Sequence, residues 1–157
     1  MTETDEPDPL WWFDQLLLDD RVDLLEDPFR SLPPHLVDRF ARSPKMLGAG
    51  HAYWVKEDMG SSPGGPSLGT VPANRLEDYR HQLDYWWSNL KAAEREYLIG
   101  HRADDELDGE YADKVQAVTN LPLQPENPLV VIVVRDNRTG RFGLPAIMRT
   151  YLELKAR

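Results

Sequence analysis

The sequence predicts an α+β fold. It reads as a single, predominantly helical domain with a long central helix at about residues 75–100 in a helical hairpin, and a small, mainly antiparallel sheet of about three short strands. Three observations predict it. Leu76, Tyr79, Leu83, Trp86, Leu90, Ala93 and Tyr97 recur at spacings of three and four, the period of a helix with one buried face. Residues 129–134, LVVIVV, are β-branched almost throughout and are followed by the turn-forming DNRTG, which predicts a strand and its return. The chain of 157 residues, 41% hydrophobic and 29% charged, is long enough to bury a core without staples. Residues 1–8 read as an acidic tail, and residues 9–157 as the domain, interrupted by a flexible Gly/Ser/Pro loop at 60–69.

In chain order, Asp8 and Pro9 have the chemistry of an N-cap and a first helical position. The helix that follows carries two apolar arcs, one of Leu10, Trp12, Phe13, Leu16, Leu17 and Leu24, the other of Trp11, Leu18, Val22 and Leu25. A break near Asp19 and Asp20 would merge them. A short helix is expected from Pro34 to a stop at Pro44, and a strand at residues 51–57, HAYWVKE, bounded by glycines. Asn74 with Glu77 makes an N-cap and its acidic partner, and Gly100 closes the long helix. A second helix at about residues 104–119 completes the hairpin. Pro122, Pro125 and Pro128 then exclude regular structure. LVVIVVR reads as a strand covered on both faces or central in a sheet, and RFGL, after the turn at residues 136–140, as its partner. Pro145 opens a last helix with Ile147, Met148, Tyr151, Leu152 and Leu154 facing inward.

Cysteine is absent, which removes disulfides, thiolate metal sites and cysteine nucleophiles and suits a reducing compartment. The acidic start, MTETDEPDP, lacks the basic and apolar regions of a secretory signal. No apolar run reaches the roughly 18 residues a membrane span requires. A cytoplasmic protein without membrane contact is expected. Its charge is lopsided: residues 1–27 hold ten acids and one base and so carry the whole net −9, while the remaining seventeen acids and seventeen bases cancel. Residues 135–157 hold six bases and two acids.

Two catalytic patterns are matched by letter and fail on mechanism. GSSPG has the spacing of a nucleophile elbow around Ser62, but Pro63 lacks the N–H that an oxyanion hole needs. GSSPGGPS has phosphate-loop spacing, with Pro66 where the lysine must stand. His101, Asp104, Asp105 and Asp108 are the one dense group of candidate metal ligands, and could make an open carboxylate and imidazole site for a small metal-dependent enzyme. The competing explanation is simpler: acids crowd the first turn of a helix because its dipole favours them there. His35, His51 and His81 show no ligand spacing. The terminal arginines suggest phosphate contact, but the acidic segment would be repelled by it, so direct nucleic-acid binding is not expected.

Aromatic residues in a first helix ordinarily belong to the core, with Trp86 and Trp87 as natural packing partners. Ten acids beside them need a further reason. Acid-flanked aromatic and leucine side chains suit a segment that docks in a basic groove, where the apolar groups anchor and the charges steer. The expected function is therefore a cofactor-free regulatory protein, an inhibitor, antitoxin-like protein or adaptor. Trp11, Trp12, Phe13, Leu16 and Leu17 would be its contacts, with Asp14, Asp19, Asp20 and Asp23 at the rim. The partner would be another protein with a basic groove, or a second copy whose basic end receives the acidic helix. A nucleic-acid mimic is a further alternative to the metal-dependent enzyme.

Overall fold

Proline, asparagine and extended caps punctuate the chain of this computed structural model, which describes residues 12–41, 68 and 70–157. Among the described residues the α-helices are α1 (Leu18–Glu26), α2 (Pro34–Ala41), α3 (Thr70–Ser88), α4 (Ala92–Gly100), α5 (Ala112–Gln116) and α6 (Ala146–Ala156), with 3-10 turns at Phe13–Gln15, Gly109–Tyr111 and Ala117–Asn120. The chain divides into two units, Met1–Glu77 and Asp78–Arg157. The expected cap at Asp8, the stop at Pro44, the strand at 51–57 and the loop at 60–69, Leu68 apart, lie outside the described residues.

In the first unit the expected early helix breaks sooner than residues 19 and 20. Leu16 and Leu17 are extended, with ψ of 160° and 154°, between the turn at Phe13–Gln15 and the start of α1. The Gln15 carbonyl left over by the break accepts from Arg39 Nη2 of α2 at 2.8 Å. Pro28 then ends α1, because the residue before a proline is pushed out of helical geometry. Pro34 opens α2 as expected, and its His35 Nε2 meets Asp20 Oδ1 of α1 at 2.9 Å. Val22, Leu24, Leu25 and Leu36 are buried.

The second unit departs further from expectation. The long helix at about 75–100 is two helices, and it begins earlier, at Thr70, with Pro72 tolerated in the first turn. The break follows from side chains that compete for backbone groups. Ser88 Oγ and Asn89 Nδ2 both donate to the Tyr85 carbonyl at 2.8 Å. Lys91 is extended, and its N–H is accepted by Glu94 Oε1, so α4 starts afresh with its own cap. Arg95 then takes the freed carbonyls of Trp87 and Ser88. The expected second arm at 104–119 is a turn through residues 101–107 and three short helical pieces.

Among the described residues the expected sheet does not form. The described residues contain no β-strand, and isolated antiparallel bridges join Phe142 to Leu107 and to Arg135. The physical reason lies in Leu129, Val131 and Val133, whose N–H groups are taken by side chains instead of by a neighbouring strand. Leu129 N–H is accepted by Gln82 Oε1, Val131 N–H by Thr119 Oγ1 and Val133 N–H by Gln116 Oε1. Nor is LVVIVV covered on both faces, since Val130, Ile132 and Val134 are exposed. The turn after it does form. Asp136 Oδ1 accepts from the N–H groups of Arg138 and Thr139, and Gly140 adopts a positive φ of 74°.

Helix α6 opens after Pro145 as expected and packs against α4. Met148, Tyr151 and Leu152 are buried, among Leu83, Trp86, Leu98, Val115 and Phe142 of the same unit's core. The Trp86 ring meets Tyr151 edge-on at 6.5 Å, and Tyr151 donates its hydroxyl to Asp84 at 2.6 Å. Arg149 donates to the carbonyls of Leu144 and Arg102, and Arg102 donates to Glu153 Oε1 at 2.8 Å, so two guanidinium groups tie the turn after α4 to the last helix.

Candidate functional site

The break at Leu16 and Leu17 sorts the expected contact residues into two sets. Trp12, Phe13 and Leu16 are buried, the indole at 3% exposure, with the Trp12 and Phe13 rings edge-on at 6.0 Å. They serve as the footing of the segment. Leu17, on the extended link, is 73% exposed. Asp14 and Asp19 are exposed on either side of it. Asp20 is buried against His35, and Asp23 is half-buried beside Arg30, whose guanidinium also donates to the Asp23 carbonyl. Trp11 lies outside the described residues. Sequence reasoning missed Phe29, which is 48% exposed after α1 in a turn where Asp27 Oδ1 accepts its N–H. Helical periodicity carries no signal for a residue past the helix end.

The second candidate, the group at residues 101–108, is brought together only in part. His101 Nδ1 and Asp104 Oδ2 are 2.7 Å apart. The Asp105 carbonyl faces Arg149 Nη2 at 3.5 Å, and Asp108 Oδ1 caps the Gly109–Tyr111 turn by accepting from Glu110 N–H. Among the described residues no three histidine, aspartate or glutamate side chains gather in a way that could hold a metal ion. What does assemble is an aromatic stack. Tyr97 lies 4.1 Å from the His101 ring and 3.9 Å from the nearly parallel Tyr111 ring, and its hydroxyl accepts the Asp108 N–H. Burial, then the Glu110 charge, push the Tyr111 hydroxyl above its ordinary value.

A cleft of about 310 Å3 in the second unit is lined by Tyr85, Asn89, Leu90, Glu94 and Lys114, among others. Its one ion pair is Glu94 Oε2 to Lys114 Nζ at 3.2 Å. The Lys91 N–H, with help from Lys114, holds the Glu94 carboxyl below the usual range against the opposing effect of burial. The pair neutralises itself, which leaves the cleft without a charge for a ligand.

The third feature is the row at residues 129–134. Burial and hydrogen bonding alternate there with a period of two, as in an extended strand. Leu129 and Val131 are buried and their N–H groups taken, whereas Val130, Ile132 and Val134 stand 63%, 73% and 74% exposed. Among the described residues no hydrogen bond reaches the backbone groups of Val130 and Ile132, whereas Val134 adjoins the antiparallel bridge of Arg135 with Phe142.

Comparison with protein-family models, with curated proteins and with solved structures finds no match to this chain. Among the described residues no helix is long and apolar enough to cross a membrane. The functional reading therefore rests on the chemistry of the surfaces themselves.

Proposed function

We propose that this chain is a regulatory interaction protein, an inhibitor or adaptor, that docks on a basic surface of another protein through the acidic stretch of its first unit. The observation that carries the reading is Leu17. It is 73% exposed on a short extended link whose neighbours Trp12, Phe13 and Leu16 are buried. An apolar contact held on a firm footing loses little freedom on binding. Asp14 and Asp19 form the acidic rim, and a rim of one sign raises the association rate toward a partner of the other. Phe29 adds a second apolar contact in the same acidic stretch. A cytoplasmic location suits a chain without cysteine.

The test uses a partner recovered from the native cell by affinity purification. Leu17→Ala should speed dissociation, and Asp14→Lys with Asp19→Lys should slow association about tenfold and flatten its fall with salt. Unchanged rates in the triple variant, with its fold intact by circular dichroism, would refute the assignment. Competition by DNA or heparin for the same partner surface would identify the contact as mimicry of a nucleic acid.

A further inference from the structure

The walls of the 310 Å3 cleft in the second unit are tied to one another by its own side chains. Trp86 Nε1 of α3 donates to the Lys114 carbonyl of α5 at 2.8 Å, and the ion pair from Glu94 to Lys114 joins α4 to the same helix. A ligand that enters a cleft already formed loses little to reorganisation. We propose that this cleft binds a small uncharged aromatic molecule that carries an amide. The inference goes beyond the acidic docking stretch of the first unit and does not depend on it.

Size and wall narrow the occupant. A water takes about 30 Å3 of liquid, so a cleft of about 310 Å3 has room for roughly ten groups of that size, which is one ring with a substituent. Trp86 and Leu90, both buried, and Leu121 and Pro122 supply apolar surface, with Tyr85 beside them. Aromatic side chains in the wall favour an aromatic ligand, because offset and edge-on ring contacts add to the gain from buried area.

The polar corner sets the rest. Glu94 Oε1 accepts the Lys91 N–H at 2.8 Å, and its Oε2 faces Lys114 Nζ at 3.2 Å. An ionised carboxylate has about four acceptor sites and an ammonium three donors, so both groups keep bonding capacity after pairing with each other. An amide offers the matching set, N–H for the carboxylate and C=O for the ammonium, and leaves the pair intact. A carboxylate ligand would meet Glu94 as a like charge, and an ammonium ligand would meet Lys114. Either ion would give up its hydration for a corner whose net charge is zero. The ion pair therefore selects against both ions and for the neutral amide.

Three probes of one shape supply the test: benzamide, benzoate and benzylamine, titrated at neutral pH into the full chain and followed by its backbone N–H signals in NMR. Benzamide should bind with a Kd of about 1 mM or below, shifting the signals of Asn89, Lys114 and Leu121. The two ions should bind at least about fivefold more weakly. Leu121 is partly exposed, so Leu121→Trp should fill the cleft and abolish benzamide binding with circular dichroism unchanged. Lys114, whose side chain is 48% exposed, can be changed to Met without disturbing the core. Lys114→Met leaves the Glu94 charge unopposed, and benzylamine should then bind more tightly than benzamide. The absence of any shift with benzamide would overturn the proposal. So would benzoate or benzylamine binding the wild type as tightly, benzamide binding that survives Leu121→Trp, or an order of affinities that Lys114→Met leaves unchanged.

Discussion

Gln82, buried in α3, accepts the backbone N–H of Leu129 at 2.8 Å across 47 residues of chain. Its amide nitrogen donates to the carbonyls of Asn127 and Asp78, so every polar atom of the side chain is used. One side chain thus fixes the segment that carries the exposed row. Gln82→Met keeps the length and removes the bonds, stranding a buried N–H. The expected loss is about 1–3 kcal/mol, read as a lower urea midpoint with the slope unchanged.

Asp20 and Asp19 are neighbours with different duties. Asp20 is buried and bonded to His35 of α2, whereas Asp19 is exposed. Asp20→Ala should therefore cost about 1 kcal/mol of stability, and Asp19→Ala, whose contacts are solvent-exposed, should cost less. In a binding assay the order should reverse, with Asp19→Ala slowing association and Asp20→Ala acting only through the folded fraction. Thermal melts beside association rates would separate the two.

These contrasts show how much the sequence makes legible. Features set by adjacent residues can be read: the proline starts of α2 and α6, the inward Met148, Tyr151 and Leu152, and the turn built on Asp136 and Gly140. The break between α3 and α4 is hidden because the apolar spacing continues across it, with Leu90 still buried. Its signals were the adjacent Ser88 and Asn89 and the cap from Lys91 to Glu94. β-branched composition predicts a strand at residues 129–134, and none forms there; it carries no sign of the partners that take the N–H groups. Those are Gln82, Gln116 and Thr119, polar side chains whose arrival depends on tertiary packing. The acidity of the first unit is plain in the sequence, but which of its apolar residues face out depends on a change of phase at Leu16.

Gly109 approaches the Gly140 backbone so closely that a Cβ would fall well inside contact distance of the Gly140 carbonyl oxygen. Backbone on both sides leaves little room to yield. Gly109→Ala should cost about 1–3 kcal/mol. Gly140→Ala meets open space but a positive φ, and should cost about 1–2 kcal/mol. Because the two glycines share one contact, the double variant should fall short of or exceed the sum, and a urea-denaturation double-mutant cycle measures that coupling.

Stability should fall toward both ends of the pH scale, for opposite reasons. The Arg102 guanidinium, and less strongly Arg157, hold the Glu153 carboxyl below its ordinary 4.5 against burial. The N–H groups of Arg138 and Thr139 hold Asp136 below 3.8. A depressed folded pKa means that the unfolded chain binds protons first as pH drops, so this stability is complete above the unfolded values and is lost as pH falls through the folded ones. At the alkaline end, burial first and then the Asp84 carboxylate push the Tyr151 hydroxyl far above its ordinary 10. The unfolded chain there releases a proton that the folded one keeps, so stability present below 10 is lost as pH rises past it. Urea midpoints across the range should show both slopes. Glu153→Gln should flatten the acid slope only, and Tyr151→Phe the alkaline slope only; a Tyr151→Phe profile that still falls above 10 as steeply as wild type would show that another group carries it.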